Sequence, residues 1–455
     1  MKRRSYIFLL GVIAIQIFLL VNLKFTAWPE MLLWPYLMIH GWLPYANIAI
    51  AHTPLMLVKL AIFYKIFGIG ILQLKIFTWI LIMVLDALVF WVSKKLWNVK
   101  SALIALSAFA FWQLFFDGNG LWFDLFMGVT AFISFYFVQK KRYLLAGIFW
   151  TLAFISKQTA VWFLIPIGLS LIKDYGLTRH FVIKIRDSIR FILGTVLVVI
   201  PLVLILLIFG ILPSFIDWAV KFGIFILPKA EGQIQLPDLK NLFISVFPFL
   251  IFIPLIWKTG RKNLNLLLWT FAGVLGAYPR FEYFHFQPAI PFLAIATGLV
   301  LINPETKTRP IKYFLIFYIL GSVILFAGFF MRDFNENVRF FETDVSDLVI
   351  YVKSNTKPGD KIFVMNWWDN IYPLTGTIPA VDPWVPQLSW YQEISGIQEK
   401  EVTDLKNSKP KLILLQDYAD SGLASYVPEK VNDYVTANYK LKEKVDGIEV
   451  LVQKK

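Results

Sequence analysis

The chain has 455 residues, 58% of them hydrophobic and 17% aromatic against 16% charged, with no cysteine and a formal net charge of +14. So much apolar surface cannot be buried in one water-soluble core, which excludes an ordinary soluble enzyme, and the lack of cysteine excludes a disulfide framework and thiolate chemistry. The positive charge does not point to nucleic acid, because the basic residues are scattered between apolar runs and not gathered on one segment.

Residues 1–23, "MKRRSYIFLLGVIAIQIFLLVNL", carry no convincing small-residue cleavage site and read as an uncleaved first span at 5–22. An aromatic stretch follows, "WPEMLLWPYLMIHGWLPYANIAIAHTPL" at 28–55, with one acid, Glu30, and the histidines His40 and His52. The next apolar run, 52–68, has a proline near its start and Lys59 and Lys65 six residues apart. If it crossed the membrane as well as 71–93, then Lys94, Lys95, Lys100 and every later basic loop would lie outside, against the retention of cationic loops in the cytoplasm. It is therefore predicted to lie as a helix on the outer surface.

Further spans are predicted at 71–93, 101–116, 121–138, 143–156, 158–172, 191–212, 240–257, 264–279, 287–302 and 313–331, each near the 20 or so residues needed to cross as a helix. The basic clusters at 2–4, 94–100, 139–142, 173–190, 258–262 and 307–312 then all face the cytoplasm, with the amino terminus. This describes a polytopic α-helical membrane domain, 1–331, of about eleven spans with a helical first outer loop, and a small extracytoplasmic α/β domain, 332–455.

In the second domain, 340–356 has helical periodicity, "KIFVM" and "KLILLQ" read as buried parallel strands, and 394–407 reads as a helix between them. "YKLKEKVDGIEVLVQ" places Asp-Gly between alternating runs, a hairpin signal. The aromatic loop 366–390 is expected to face the membrane site, with its tryptophans either packing or stacking on a sugar or acceptor.

On this topology Glu30, His52, Asp117, Asp124, Lys157, Arg280, Glu282 and His285 all fall on the outer side near the membrane surface. Ionisable groups at that depth are functional-site hypotheses by default, although each alone could be a solvated loop residue or an internal ion pair. Asp124 heads a span, where the helix dipole favours an acid. Lys157 stands between two apolar runs with almost no loop, placed either as a snorkelling anchor or as a phosphate ligand. Arg280 has the fork suited to bidentate phosphate contact. No His-x-x-x-His or Asp-x-Asp stands in the outer loops, so a divalent metal is possible but not indicated.

The order "WPE", "HGWLPY", "HTPL" and "FG" resembles the first outer loop of the GT-C type glycosyltransferases that use polyprenyl-phosphate sugars, among them protein O-mannosyltransferases and aminoarabinose transferases acting on lipid A. The resemblance continues through Asp124 in "LWFDLF", through Gly147, Ala153 and Lys157 in "YLLAGIFWTLAFISKQTAVWFLIP", through "YPRFEYFHFQPAIPFLAIATGLVL" and through "NIYPLTGTIPAVD". Each motif is weak alone, yet as an ordered set they cover nearly the whole chain.

This resemblance implies transfer of a sugar from a polyprenyl-phosphate carrier to a glycan, lipid or protein acceptor on the outer face of the plasma membrane, with no cofactor required. Such a reaction needs a base for the acceptor and cations for the departing phosphate. Glu30 is the expected base and Asp124 the alternative, because many relatives carry Asp-Glu where this chain has Pro29-Glu30. Lys157, His52, Arg280, Tyr45, Tyr283 and His285 are the expected substrate-binding residues, and the carrier's isoprenoid chain is expected against 31–45 and 52–68. A transporter or flippase of lipid-linked substrates, or a non-catalytic membrane binding protein, are the competing classes. The first is disfavoured by the lack of an internal repeat, and the second has no reason to gather carboxylates and cations on one side.

Overall fold

The protein is a multi-pass membrane protein of mostly helical structure, described by a computed structural model over residues 3–173, 181–230, 232–303, 308–418 and 426–454. The predicted basic loops at 173–190 and 307–312 lie partly outside these residues. The chain forms two compact units. The first contains Met1–Phe25, Ile76–Ile205 and Gly232–Glu336, and the second contains Thr26–Lys75, Leu206–Glu231 and Asn337–Lys455.

Every predicted span coincides with an apolar helical stretch. Six are long and apolar enough to cross a membrane: Arg3–Asn22, Ile71–Leu96, Ile185–Ile208, Leu239–Lys258, Tyr283–Ile302 and Arg309–Asp333. Val99–Phe115, Phe123–Gln139, Tyr143–Phe154, Gln158–Ile172 and Leu264–Ala277 are apolar but shorter, at 10–17 residues. Several boundaries differ from expectation. The span expected at 191–212 ends at Ile208, two residues before Gly210 at φ +67, a conformation that closes a helix. The span expected at 287–302 starts earlier, as a 3-10 turn at Tyr283–Ala289 that accommodates Pro288.

In the first unit, Trp269 is fully buried among Phe135, Phe163 and Phe292, with ring centroids 5.3–5.6 Å away. Helix Tyr143–Phe154 meets helix Phe181–Ile208 through glycines: a Cβ on Gly147 would lie 2.1 Å from the Phe191 carbonyl oxygen, and one on Gly194 would lie 2.1 Å from that of Leu144. Small residues let the two backbones approach this closely. Gly147→Ala and Gly194→Ala are each expected to destabilise the protein by about 1–3 kcal/mol. Thermal unfolding in detergent checks this, with Gly168→Ala, where a Cβ meets nothing within 4 Å, as the unaffected control.

The second unit is built on a five-stranded sheet of order β2-β1-β3-β5-β4. Its strands are β1 (Lys361–Met365), β2 (Ile378–Pro379), β3 (Leu412–Leu415), β4 (Tyr439–Val445) and β5 (Ile448–Gln453). β1 and β3 are parallel, as "KIFVM" and "KLILLQ" predict, and β4 and β5 form the predicted hairpin, turned by Asp446 and Gly447 at φ 46 and 85. Helix Ile397–Ser408 lies between β2 and β3, within the expected span of sequence. Phe363, Met365, Leu405, Ile413, Val431 and Val435 form the core of this sheet region.

The segment after the first span contributes helices Pro29–Ile39 and Leu55–Phe67 to the same unit. The second of these buries Met56, Leu57, Leu60, Ala61 and Tyr64 and leaves Val58, Ile62 and Ile66, four residues apart, exposed on its other face. An exposed apolar face on a short helix suits the membrane surface that the sequence predicts for it. Met31, Leu32, Leu33 and Leu37, expected to line the isoprenoid chain, are buried within the unit instead. Residues 216–226, between two predicted spans, form a π-helix whose Phe222 packs on Tyr391 at 4.7 Å.

Glu401, 2% exposed, ties this unit together. Its Oε1 accepts from Nε2 of both Gln387 and Gln392 at 3.1 Å, while Oε2 has no partner among the described residues. Burial pushes its carboxyl up to about 7, partly opposed by the two glutamines. A carboxyl raised from an ordinary 4.5 to about 7 favours folding while protonated, and that contribution, about 3 kcal/mol, is lost as pH rises between those values. Glu401→Gln is therefore expected to match the native protein in thermal midpoint near pH 5 and exceed it near pH 8.

Candidate active site

Three titratable side chains from distant parts of the first unit converge. Trp122, extended at φ −133 and ψ 167, starts helix Phe123–Gln139, so Asp124 sits in its first turn. Lys157 is extended at φ −154 and ψ 132 in the break between helix Tyr143–Phe154 and the 3-10 turn Gln158–Phe163. His285 comes from the 3-10 turn Tyr283–Ala289. Lys157 Nζ lies 2.5 Å from Asp124 Oδ2 and 2.9 Å from His285 Nδ1, and His285 Nδ1 lies 2.9 Å from the same Asp124 oxygen.

All three are buried, at 0%, 4% and 8% exposure for Asp124, Lys157 and His285. A charge this deep persists only when paired, and the Asp124–Lys157 contact supplies the pairing. His285 Nδ1 can accept from Lys157 or donate to Asp124, but not both at once, so the cluster has alternative proton arrangements. Lys157 has three N–H donors, of which two are aimed at these partners. Asp124 Oδ1 has no hydrogen-bond partner among the described residues.

The turn before Asp124 is held firmly. Asn119 Nδ2 donates to the carbonyls of Leu20, Leu23 and Lys24 at 2.9–3.2 Å, and Gln287 Nε2 donates to those of Gln113 and Phe116. Asp117 is 4.0 Å from Arg332, an outer contact at the same turn. Arg280 is half-buried with Nε 3.8 Å from Glu282 Oε1, and the Tyr283 hydroxyl donates to Asn241 Oδ1 at 2.9 Å. Of the expected residues in this unit, Asp124, Lys157 and His285 are thus in mutual contact, while Arg280 and Tyr283 have other partners.

The second unit holds Glu30, half-buried in the first turn of helix Pro29–Ile39. Its Oε2 is enclosed and has no hydrogen-bond partner among the described residues. Burial raises its pKa above the ordinary 4.5, with the residue's own backbone N–H acting in the opposite direction. Asp369 lies close enough for the Glu30 charge to act on it. Burial first, and Glu30 after it, hold the Asp369 carboxyl well above the ordinary range, while a hydrogen bond with the Trp384 side chain opposes them. Asp369 Oδ1 is likewise enclosed without a hydrogen-bond partner among the described residues.

Aromatic rings wall this region: Trp28 to Phe340 is 5.1 Å and Phe340 to Trp368 is 4.7 Å between centroids, and the Arg339 guanidinium lies over both Trp28 and Phe340. Asp369 escapes sequence reasoning as a site residue, although an acid inside "NWWDN" is the one signal that could have drawn attention to it. Tyr45 is fully buried at φ 70, its ring edge against Phe215, and its hydroxyl donates to the His52 carbonyl at 2.9 Å. Among the described residues no set of three or more His, Asp or Glu gathers into a metal-sized group.

No family model and no curated protein matches the chain. Solved structures do match over almost its full length. ArnT from Cupriavidus metallidurans in its apo state aligns with 98% of this chain and 97% of its own at a TM-score of 0.63 and 11% identity. The same protein bound to undecaprenyl phosphate aligns with 99% and 98% at a TM-score of 0.68, again at 11% identity. The archaeal oligosaccharyltransferase AglB from Archaeoglobus fulgidus, in complex with an inhibitory peptide and a dolichol-phosphate, aligns with 100% of this chain and 74% of its own at 0.56 and 11% identity. The chain therefore has the fold of these membrane proteins, and the resemblance to GT-C type glycosyltransferases read in its sequence holds at the level of fold.

Proposed function

We propose that this protein is a membrane glycosyltransferase that moves a sugar from a polyprenyl-phosphate carrier to a glycan, lipid or protein acceptor on the outer face of the plasma membrane. The amino terminus is cytoplasmic, and 332–455 is extracytoplasmic. The observation that carries this reading is Glu30, a carboxylate with one enclosed, unpartnered oxygen beside a second acid, Asp369. Such a group suits a proton acceptor working near neutral pH. A fold shared with proteins solved with undecaprenyl phosphate and dolichol-phosphate supports the carrier class.

In the proposed reaction Glu30 takes the proton of the acceptor as its nucleophilic atom bonds to the anomeric carbon, and the bond from that carbon to the phosphate oxygen breaks. The lipid phosphate leaves with the electron pair. Lys157, in the first unit, is a candidate phosphate ligand through the N–H not aimed at Asp124 or His285, with Asp124 fixing its position. Arg280 and His52 are further phosphate ligands in this scheme. The isoprenoid chain runs along the exposed apolar face of Val58, Ile62 and Ile66.

The test is transfer in membranes containing the protein and a panel of labelled polyprenyl-phosphate sugars. Transfer from at least one donor is expected. Movement of a labelled lipid-linked sugar across the bilayer without transfer from any donor would favour a transporter.

A further inference from the structure

The second unit has a cavity of about 390 Å³ that takes no part in the proposed transfer. It is lined by β2, by Trp42 and Lys361, and by Asp382, Asp404, Asn407 and Ser408. Gly41, at φ +89, turns the chain after helix Pro29–Ile39, and the Trp42 N–H closes the turn on the Leu37 carbonyl at 3.0 Å. That turn presents the half-buried indole to the cavity.

Part of the lining is prearranged by a chain of polar contacts. Asn47 Nδ2 donates to Asp382 Oδ1 at 2.9 Å, the Asp382 N–H donates to Asp404 Oδ2 at 2.9 Å, and Lys400 Nζ meets Asp404 Oδ1 at 2.5 Å and the Asp382 carbonyl at 2.7 Å. Ser408 Oγ has no hydrogen-bond partner among the described residues.

The geometry points to a binding site for one neutral pyranose ring. Its volume lies within the range of small-molecule sites. The Trp42 indole among the lining residues suits the apolar C–H face of a sugar, and the amide, hydroxyl and carboxylate groups of Asn407, Ser408, Asp382 and Asp404 suit its hydroxyls. Two carboxylates, Asp382 and Asp404, are matched by two ammonium groups, Lys361 and Lys400, so neither a phosphate nor a cation is favoured. An extended peptide is disfavoured because the cavity flanks an edge strand in which Pro379 removes a backbone donor, which blunts strand addition.

The experiment is saturation-transfer NMR on the full chain in lipid nanodiscs, since detergents with sugar headgroups would compete. Methyl α-mannopyranoside, methyl β-glucopyranoside and N-acetylglucosamine are the probes. At least one is expected to receive saturation, with affinity falling about tenfold or more in Trp42→Ala and in Asn407→Ala. Asn407 is exposed near the end of its helix, so that variant keeps its fold. Silence from all three sugars, or binding unchanged in both variants, overturns the site. Because binding is read directly, the outcome at the cavity is the same whether or not the chain transfers a sugar.

Discussion

Lys157→Ala is expected to destabilise the protein by about 3–5 kcal/mol, because it strands the Asp124 carboxylate in a buried site where, among the described residues, only the His285 ring remains in contact as a possible counter-ion. His285 cannot replace the lysine at neutral pH without taking up a proton in the same buried place. Asp124→Asn is expected to cost less, since an amide oxygen still accepts from Lys157, but it leaves a buried ammonium without its counter-ion. The two losses should not add. Asp124→Leu combined with Lys157→Met removes both charges, and its thermal midpoint in detergent should lie above that of Lys157→Ala. A Lys157→Ala protein as stable as the native chain would show that this pair contributes nothing to the fold.

That cluster also shows what a sequence can and cannot disclose. Asp124, Lys157 and His285 each stand out as a charge in apolar surroundings, which hydropathy registers directly. Their contact is a tertiary fact, with the first two 33 positions apart in sequence and the last two 128 apart, and neither spacing falls on one helix face. The same limit hides Asp369 from Glu30, which lie at opposite ends of the chain.

Elements follow a similar division. The hairpin at 439–453 is legible because Asp-Gly specifies its turn, and the buried strands because their apolar runs are bounded by polar residues. β2 is not, being two residues long and half proline. The π-helix at 216–226 escapes because it has the composition of any apolar loop beside a membrane. Helix Pro29–Ile39 joins the unit of the carboxyl-terminal sheet through contacts such as the Tyr36 hydroxyl on the Thr377 carbonyl at 3.0 Å, a pairing 341 residues apart.

Glu30→Gln is expected to lower the rate of sugar transfer by about 10²–10⁴-fold, the usual contribution of a general base, without loss of thermal stability. The amide keeps the size of the side chain and cannot take a proton, so the chemistry is removed and the packing is not. Stability should hold or rise, because the enclosed Oε2 has no hydrogen bond to lose and a charge beside Asp369 disappears. The pH dependence gives an independent reading. Burial raises the Glu30 pKa, and the base works only when ionised, so native transfer should fall as pH drops through that raised value, above the ordinary 4.5. In Glu30→Gln the acid limb should no longer report Glu30. With Glu30 neutralised, the charge that helped raise the Asp369 carboxyl above its ordinary range is gone, and Asp369 becomes the nearest substitute base. Residual transfer by Glu30→Gln should therefore vanish in the double variant with Asp369→Asn, whereas a Glu30→Gln rate within about threefold of native, well under the loss a general base contributes, would place the base elsewhere, with Asp124 next in line.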